Sequence, residues 1–212
     1  MCRLLLVKAE REFSIGEQLQ RFAFMAACSK EFQGHGWGCS YLENGAWQHY
    51  KNINPIWEDD LSGFGESRLL VAHARSAFKD EGIIIENNMP FHDDRYVFIF
   101  NGELRGVRIA EHGRIGAEKI FNFIKRFNHG NMHEALMRGT AIIRKRSKYI
   151  RAMNIIIAEK DRSYLASFFN EDPDYFTLHY SHISGKTILA SDPLPGHEHW
   201  QKVPNETVQV IQ

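Results

Sequence analysis

Cys2 stands directly behind the initiator methionine, and a small residue in that place becomes the new N-terminus when Met1 is removed. It then carries a thiol and a free α-amine on one carbon skeleton, so nucleophile and base come in one residue. A free thiol titrates near ~8.5 and an α-amine near ~7.7–8.0, so part of the amine is unprotonated near neutral pH and can accept the thiol's proton. Position alone favours a plainer role, a small hydrophobe opening a buried strand, and other stretches must decide. Two of them lie where apolar runs give way to polar residues: His73-Ala74-Arg75-Ser76 and Asn101-Gly102-Glu103. Functional groups cluster at such strand ends.

Composition narrows the classes. The 212 residues fit a single domain, spanning 1–212, with a sizeable core. Lys plus Arg (26) equals Asp plus Glu (26), so no overall field draws the chain to nucleic acid or to anionic lipid. Cys2, Cys28 and Cys39 form no C-x-x-C pair, which argues against a disulfide framework and a thiolate zinc site and points to a reducing cytoplasm. Leu4-Leu5-Leu6-Val7 is too short for a secretory or spanning segment. His197-Glu198-His199 lacks a matched second ligand pair and reads as surface histidines. Arg144-Lys145-Arg146 reads as cations complementing a helix C-terminus. No metal or cofactor is expected.

The elements that must carry these residues follow from pattern. Cys2 to Lys8 reads as a buried strand, and Ser14-Ile15-Gly16-Glu17 as a capping box opening a helix that ends near Ser29. Gly36 to Tyr50 reads as a hairpin turned at Asn44-Gly45. Arg68 to Ala74 and Tyr96 to Phe100 are strands, the second ending just before Asn101. Helices are expected over Glu118 to Asn128 and from Asn131 to about Lys145, then strands at Met153–Ala158, Ser163–Phe169, Thr177–Ser181, Thr187–Ala190 and Val208–Ile211. Cys28, late in a helix, and Cys39, inside a hairpin strand, are expected in the core. Helices between runs of strands, without βαβ alternation, indicate an α+β protein with two packed, mostly antiparallel sheets between helical layers.

Taken together, Met1-Cys2-Arg3-Leu4-Leu5, His35-Gly36-Trp37-Gly38, His73-Ala74-Arg75, Met89-Pro90-Phe91, Phe100-Asn101-Gly102-Glu103 and Ser191-Asp192-Pro193-Leu194 resemble, in order, the class II glutamine amidotransferases of the N-terminal nucleophile hydrolase superfamily, in particular the small single-domain members. The resemblance implies a four-layer α/β/β/α sandwich. It implies that Cys2 attacks the side-chain carboxamide of glutamine or a γ-glutamyl compound, forming a thioester that water hydrolyses. Asn101 and the Gly102 N–H match the family's oxyanion hole, whose donors meet charge as it develops. Arg75 matches the arginine that grips the substrate α-carboxylate, with His73 and Glu103 placed among the substrate-binding residues.

Three positions depart from the family pattern. Phe100 and Met89 stand where histidines are usual, making the surroundings less polar, and Gly116 falls where an aspartate would pair with the substrate ammonium. Glu103 and Glu118 are the nearest acids in sequence. An amide-transfer reaction would need a synthase partner in trans. Two functions remain open: an amidohydrolase of this type, or a non-catalytic binding or regulatory protein that keeps the fold. Cys2→Ala should abolish covalent labelling by a diazo-ketone glutamine analogue, whereas Cys28→Ala and Cys39→Ala should leave it intact. Intact mass measures this, and the reverse pattern would remove Cys2 from the reaction.

Overall fold

The computed structural model describes residues 1–211. Among these the order is β1 (Arg3–Ser14), α1 (Ile15–Ala27), β2 (Trp37–Glu43), β3 (Ala46–Asn52), β4 (Glu66–Ala74), β5 (Phe91–His92), β6 (Val97–Arg105), α2 (Gly116–Lys125), α3 (Met132–Arg146), β7 (Tyr149–Ala158), β8 (Ser163–Phe169), α4 (Pro173–Phe176), β9 (His179–Ile183), β10 (Lys186–Ala190), β11 (Gln201–Lys202) and β12 (Thr207–Ile211). The strands form a seven-stranded sheet, β11-β9-β10-β1-β4-β2-β3, and a five-stranded sheet, β12-β8-β7-β6-β5. Their ladders are antiparallel throughout the described residues, as the α+β reading expects. The chain divides into two compact units: Met1–Pro90 with Leu178–Val203, which holds the seven-stranded sheet, and Phe91–Thr177 with the residues from Pro204 onward, which holds the other. None of the described helices is long and apolar enough to cross a membrane.

In the first unit, β1 runs between β10 and β4, in register Leu5 with Ala190 and Leu5 with Ala72. Helix α1 begins where expected, because the Ser14 side chain accepts a hydrogen bond from the Glu17 N–H and satisfies one orphan donor of the first turn. Its buried stripe of Ile15, Leu19, Phe22 and Ala26 shares a core with Leu5, Val7, Trp37, Cys39, Leu70, Ala72 and Ala74. Strand side chains alternate between faces. Leu4, Leu6 and His73 therefore occupy the sheet face away from α1, and Cys2 and Arg75, just beyond the strand ends, continue that alternation. The hairpin turns at Asn44 and Gly45, both at positive φ, as a type I′ turn requires.

In the second unit, α2 and α3 pack on the five-stranded sheet, with the rings of Phe98 and Phe121 stacked at 4.8 Å. Alternation along β6 puts Phe98 and Phe100 on the helix side and Asn101 and Glu103 on the other. Phe100 thus faces the helices, away from the Asn101 side chain, and its apolar character belongs to that core. The side chain of Asn131 accepts from the Glu134 N–H and opens α3, and the basic run lies in that helix's last turn.

Two expectations are corrected. Strand β6 does not end before Asn101; it continues through Asn101-Gly102-Glu103 to Arg105, because β7 supplies a full antiparallel partner. Cys28 is exposed, since it caps α1 past the last buried turn, whereas Cys39 is buried as expected and its thiol is pushed far up by desolvation. The short α4, β5 and β11 carry no periodic pattern of their own and went unread.

Candidate active site

The β1–β4 register sets Arg3 opposite Ala74 and Leu4 opposite His73, so Cys2 and Arg75 emerge together from adjacent strand ends. Three groups hold this end of β1. The Leu4 N–H donates to Ser191 Oγ at 2.9 Å, the Ser191 N–H donates to the Leu4 carbonyl at 3.0 Å, and Arg3 Nε donates to Ser29 Oγ at 3.0 Å. Cys2 Sγ contacts the carbonyl of Ser76 at 3.6 Å. Burial pushes the Cys2 thiol up; the positive N-terminus, the hydrogen bond to Ser76 and Arg75 draw it down, and Glu31 adds to the rise. The Met1 ammonium pairs with Glu31, and the Met1 carbonyl accepts from Gln33 Nε2 at 2.7 Å.

Arg75 is buried, and desolvation lowers its affinity for a proton while the neighbouring Cys2 raises it. Its guanidinium is held from one side: Nη1 donates to Asn88 Oδ1 at 3.3 Å and Nη2 to the Gly82 carbonyl at 2.9 Å. Asn87 Nδ2 donates to the same carbonyl at 2.9 Å, and Asn88 Nδ2 to the carbonyl of Asn52 at 2.9 Å. The Arg75 backbone is tied too, donating to the Gly36 carbonyl and accepting from the His35 N–H. These partners are all neutral, so the guanidinium keeps its full charge for an anionic ligand. His73 is fully buried within β4, opposite Leu4 on one side and Gly38 on the other.

Asn101, Gly102, Glu103 and Gly116 belong to the second unit. Asn101 is fully buried, and neither its amide nitrogen nor its amide oxygen has a partner among the described residues. An orphaned buried amide costs ~1–3 kcal/mol, so the surrounding ladder must hold it there. Its cross-strand neighbour Asn154, in contrast, is satisfied: it donates to the Phe176 carbonyl at 2.7 Å and accepts from Ser167 Oγ at 2.8 Å. At Gly102 a Cβ would lie 2.2 Å from the Ala152 carbonyl oxygen, so only glycine lets β6 approach β7 this closely.

The acids named beside Gly116 are engaged. Glu103 pairs with Arg105 at 2.5 Å and lies 3.8 Å from Arg151, while Glu118 pairs with Arg114 at 2.6 Å. Gly116 itself is exposed and opens α2, with open space where a Cβ would stand. Ser29, Glu31, Gln33, Asn87 and Asn88 were not read from sequence as part of this site. Their roles come from contacts made across many residues, and the only local sign was the polar pair Asn87-Asn88 before Met89-Pro90.

Neither a family model nor a curated protein matches the chain. Solved structures do. A glutamine aminotransferase class-II domain protein from Silicibacter pomeroyi aligns at TM-score 0.65 and 16% identity over 99% of this chain and 94% of that one. A predicted glutamine amidotransferase from Pseudomonas aeruginosa aligns at 0.60 and 16%, over 99% and 96%. Glutamine phosphoribosylpyrophosphate amidotransferase from B. subtilis, complexed with ADP and GMP, aligns at 0.65 and 15% over 90% of this chain, which spans 42% of that protein's length. The chain therefore has the class II glutamine amidotransferase fold, the N-terminal nucleophile hydrolase arrangement of two antiparallel sheets with helices. Gly102→Ala should lower stability by about 1–3 kcal/mol through overpacking against Ala152, while Gly116→Ala should not. Chemical denaturation of both variants measures the difference, and equal midpoints would contradict the tight β6–β7 approach.

Proposed function

We propose that the chain is a single-domain, cytoplasmic amidohydrolase of the class II glutamine amidotransferase type. In this reading Cys2, freed of Met1, attacks the side-chain amide of glutamine or a γ-glutamyl compound. The observation that carries it is the pairing of a desolvated Cys2 thiol with a buried Arg75 whose partners are all neutral, at the common end of β1 and β4. A thiol beside a cation fits a nucleophile acting next to a bound carboxylate.

The reaction runs in balanced steps. The Cys2 α-amine takes the thiol proton, Sγ attacks the amide carbon, and negative charge gathers on the carbonyl oxygen. Asn101 Nδ2 and the Gly102 N–H are the donors proposed for that oxygen; the orphaned Asn101 amide supports this, because a group without a partner in the resting protein is available to a ligand. Collapse of the tetrahedral species breaks the C–N bond, and the ammonium proton of Cys2 passes to the departing nitrogen, giving ammonia and a thioester. Water, deprotonated by the same amine, then splits the thioester, releasing glutamate and restoring the thiol. Arg75 grips the substrate carboxylate, and His73, two residues earlier on the same side of β4, joins it on the binding side together with Glu103. Delivery of the ammonia to an acceptor would fall to a synthase partner in trans. The balanced net charge argues for a small-molecule substrate over nucleic acid or membrane.

A second reading, a non-catalytic binding protein, is favoured by one observation: the Met1 ammonium is held by Glu31 and its carbonyl by Gln33. While Met1 is attached, the Cys2 nitrogen is an amide and accepts no proton. Turnover by a homogeneous Met1-bearing preparation would therefore exclude the amine as base.

Asn101→Ala should lower the turnover number by about 10²–10³-fold with a smaller change in KM. A change confined to KM would make Asn101 a binding residue. The missing acid at Gly116 has a separate signature. An unpaired substrate ammonium weakens binding by roughly 2–5 kcal/mol in a dry site, so wild type should prefer an α-N-blocked or α-keto glutamine analogue. Gly116→Asp, which has room for its side chain, should shift preference toward free L-glutamine. Efficient wild-type turnover of L-glutamine that survives both Glu103→Gln and Glu118→Gln would show that no acid is required there.

A further inference from the structure

The loop that receives Met1 is anchored without it. Gln33 is fully buried, and its Nε2 donates not only to the Met1 carbonyl but also to the Glu31 carbonyl at 2.7 Å and to Ser29 Oγ at 3.4 Å. Ser29 Oγ in turn accepts from Arg3 Nε on β1. Loss of Met1 removes one of these bonds and leaves Ser29, Glu31 and Gln33 fastened to one another and to the first residue of β1. The Glu31 carboxylate, which pairs with the Met1 ammonium, stays beside the new chain end. Consecutive Cα atoms lie ~3.8 Å apart, a distance that a glutamate with three rotatable side-chain bonds covers.

We propose that Glu31 is a positioning residue for the mature N-terminus: once Met1 is removed, its carboxylate holds the Cys2 α-ammonium beside Sγ. The inference rests on the reading of the Cys2 amine as the base. The ion pair orients the amine and favours its protonated form, which is the form that must protonate the departing nitrogen. The charged and titratable groups around it are Glu31, Arg75 beyond β4, Arg3 on β1 and His35 before β2, with His179 and Asp192 past Arg3. Among these Glu31 is the acid whose charge acts on the Cys2 thiol, pushing it up, against the opposite pull of Arg75. Removing its charge therefore moves both the amine and the thiol to lower pH.

The test uses Met1-free protein, as wild type, Glu31→Gln and Glu31→Asp. Cys2 alkylation by iodoacetamide is followed against pH, site by site, through peptide masses. The midpoint should fall by roughly 0.2–0.7 unit in Glu31→Gln, the size a partly exposed ion pair gives, and return toward wild type in Glu31→Asp. The acid limb of kcat/KM for glutamine hydrolysis should move the same way. Unchanged midpoints in a folded Glu31→Gln overturn the assignment. Should that variant not fold, the α-amine of 15N-labelled Cys2 in wild type is titrated by NMR: a value above ~7.7–8.0 supports the pairing, and one at or below it overturns the pairing. Alkylation and NMR need no turnover. A midpoint shift without glutamine hydrolysis keeps Glu31 and removes the function proposed above; hydrolysis without the shift does the reverse.

Discussion

The pairing of β1 with β4 is the constraint on which the nucleophile's surroundings depend. Leu4 opposite His73 and Arg3 opposite Ala74 fix which residues leave the sheet together, and those residues are Cys2 and Arg75. A slip of one residue would turn Cys2 to the α1 side, toward Phe22, and turn Leu5 and Val7 out of that core. Register is secure because the alternation is strict. One face is apolar and covered by α1, and the other carries His73 in an otherwise apolar row. Ser191, bonded to both backbone groups of Leu4, locks the end of the strand where β10 has finished.

The two units solve a polar problem in different ways. In the first, the nitrogens near Cys2 are tied down: the Arg75 guanidinium by Asn88 and Gly82, Asn88 Nδ2 by Asn52, and Gln33 Nε2 by three acceptors. In the second, Asn101 is left with its amide unsatisfied while its neighbour Asn154 is fully bonded. A strand that ended at Asn101 would let that amide turn to water. Its place inside β6, with Gly102 pressed against Ala152, denies it that escape. The two features act together, since the close approach that only glycine permits also keeps the asparagine dry.

Much of this was legible from residue patterns, and the limits have physical causes. The Ser14 cap, the Asn44-Gly45 turn and the Asn131 cap rest on contacts within four residues, and they stand where local chemistry put them. The end of β6 was misread because the polar triplet Asn101-Gly102-Glu103 resembles a strand end, while its actual state is decided by β7, some fifty residues away. Cys28 was misplaced by position in its helix, because exposure at a C-terminus depends on what packs past the last turn. Of the site, Cys2, Arg75, Asn101 and Gly102 stood out through their place in an ordered series. Glu31, Gln33 and Ser29 did not, since a hydrogen bond from Gln33 to Met1 leaves no trace in spacing.

The route of the chain carries a consequence for its birth. After building β1 to β4, it leaves the first unit at Pro90, builds most of the second, and returns at Leu178 to add β9, β10 and β11 before leaving again. Strand β1 thus waits with one edge bare until β10 and Ser191 have been made. At ~5–20 residues per second, translation takes roughly ten to forty seconds to reach that point. Until then the edge of β1 that β10 covers, from Leu5 to Ala9, is unpaired, while the groups that hold its first residues, Ala74 of β4 for Arg3 and Glu31 and Gln33 for Met1, have long been made. The sheet that carries Cys2 is therefore closed on both sides of β1 only near the end of synthesis.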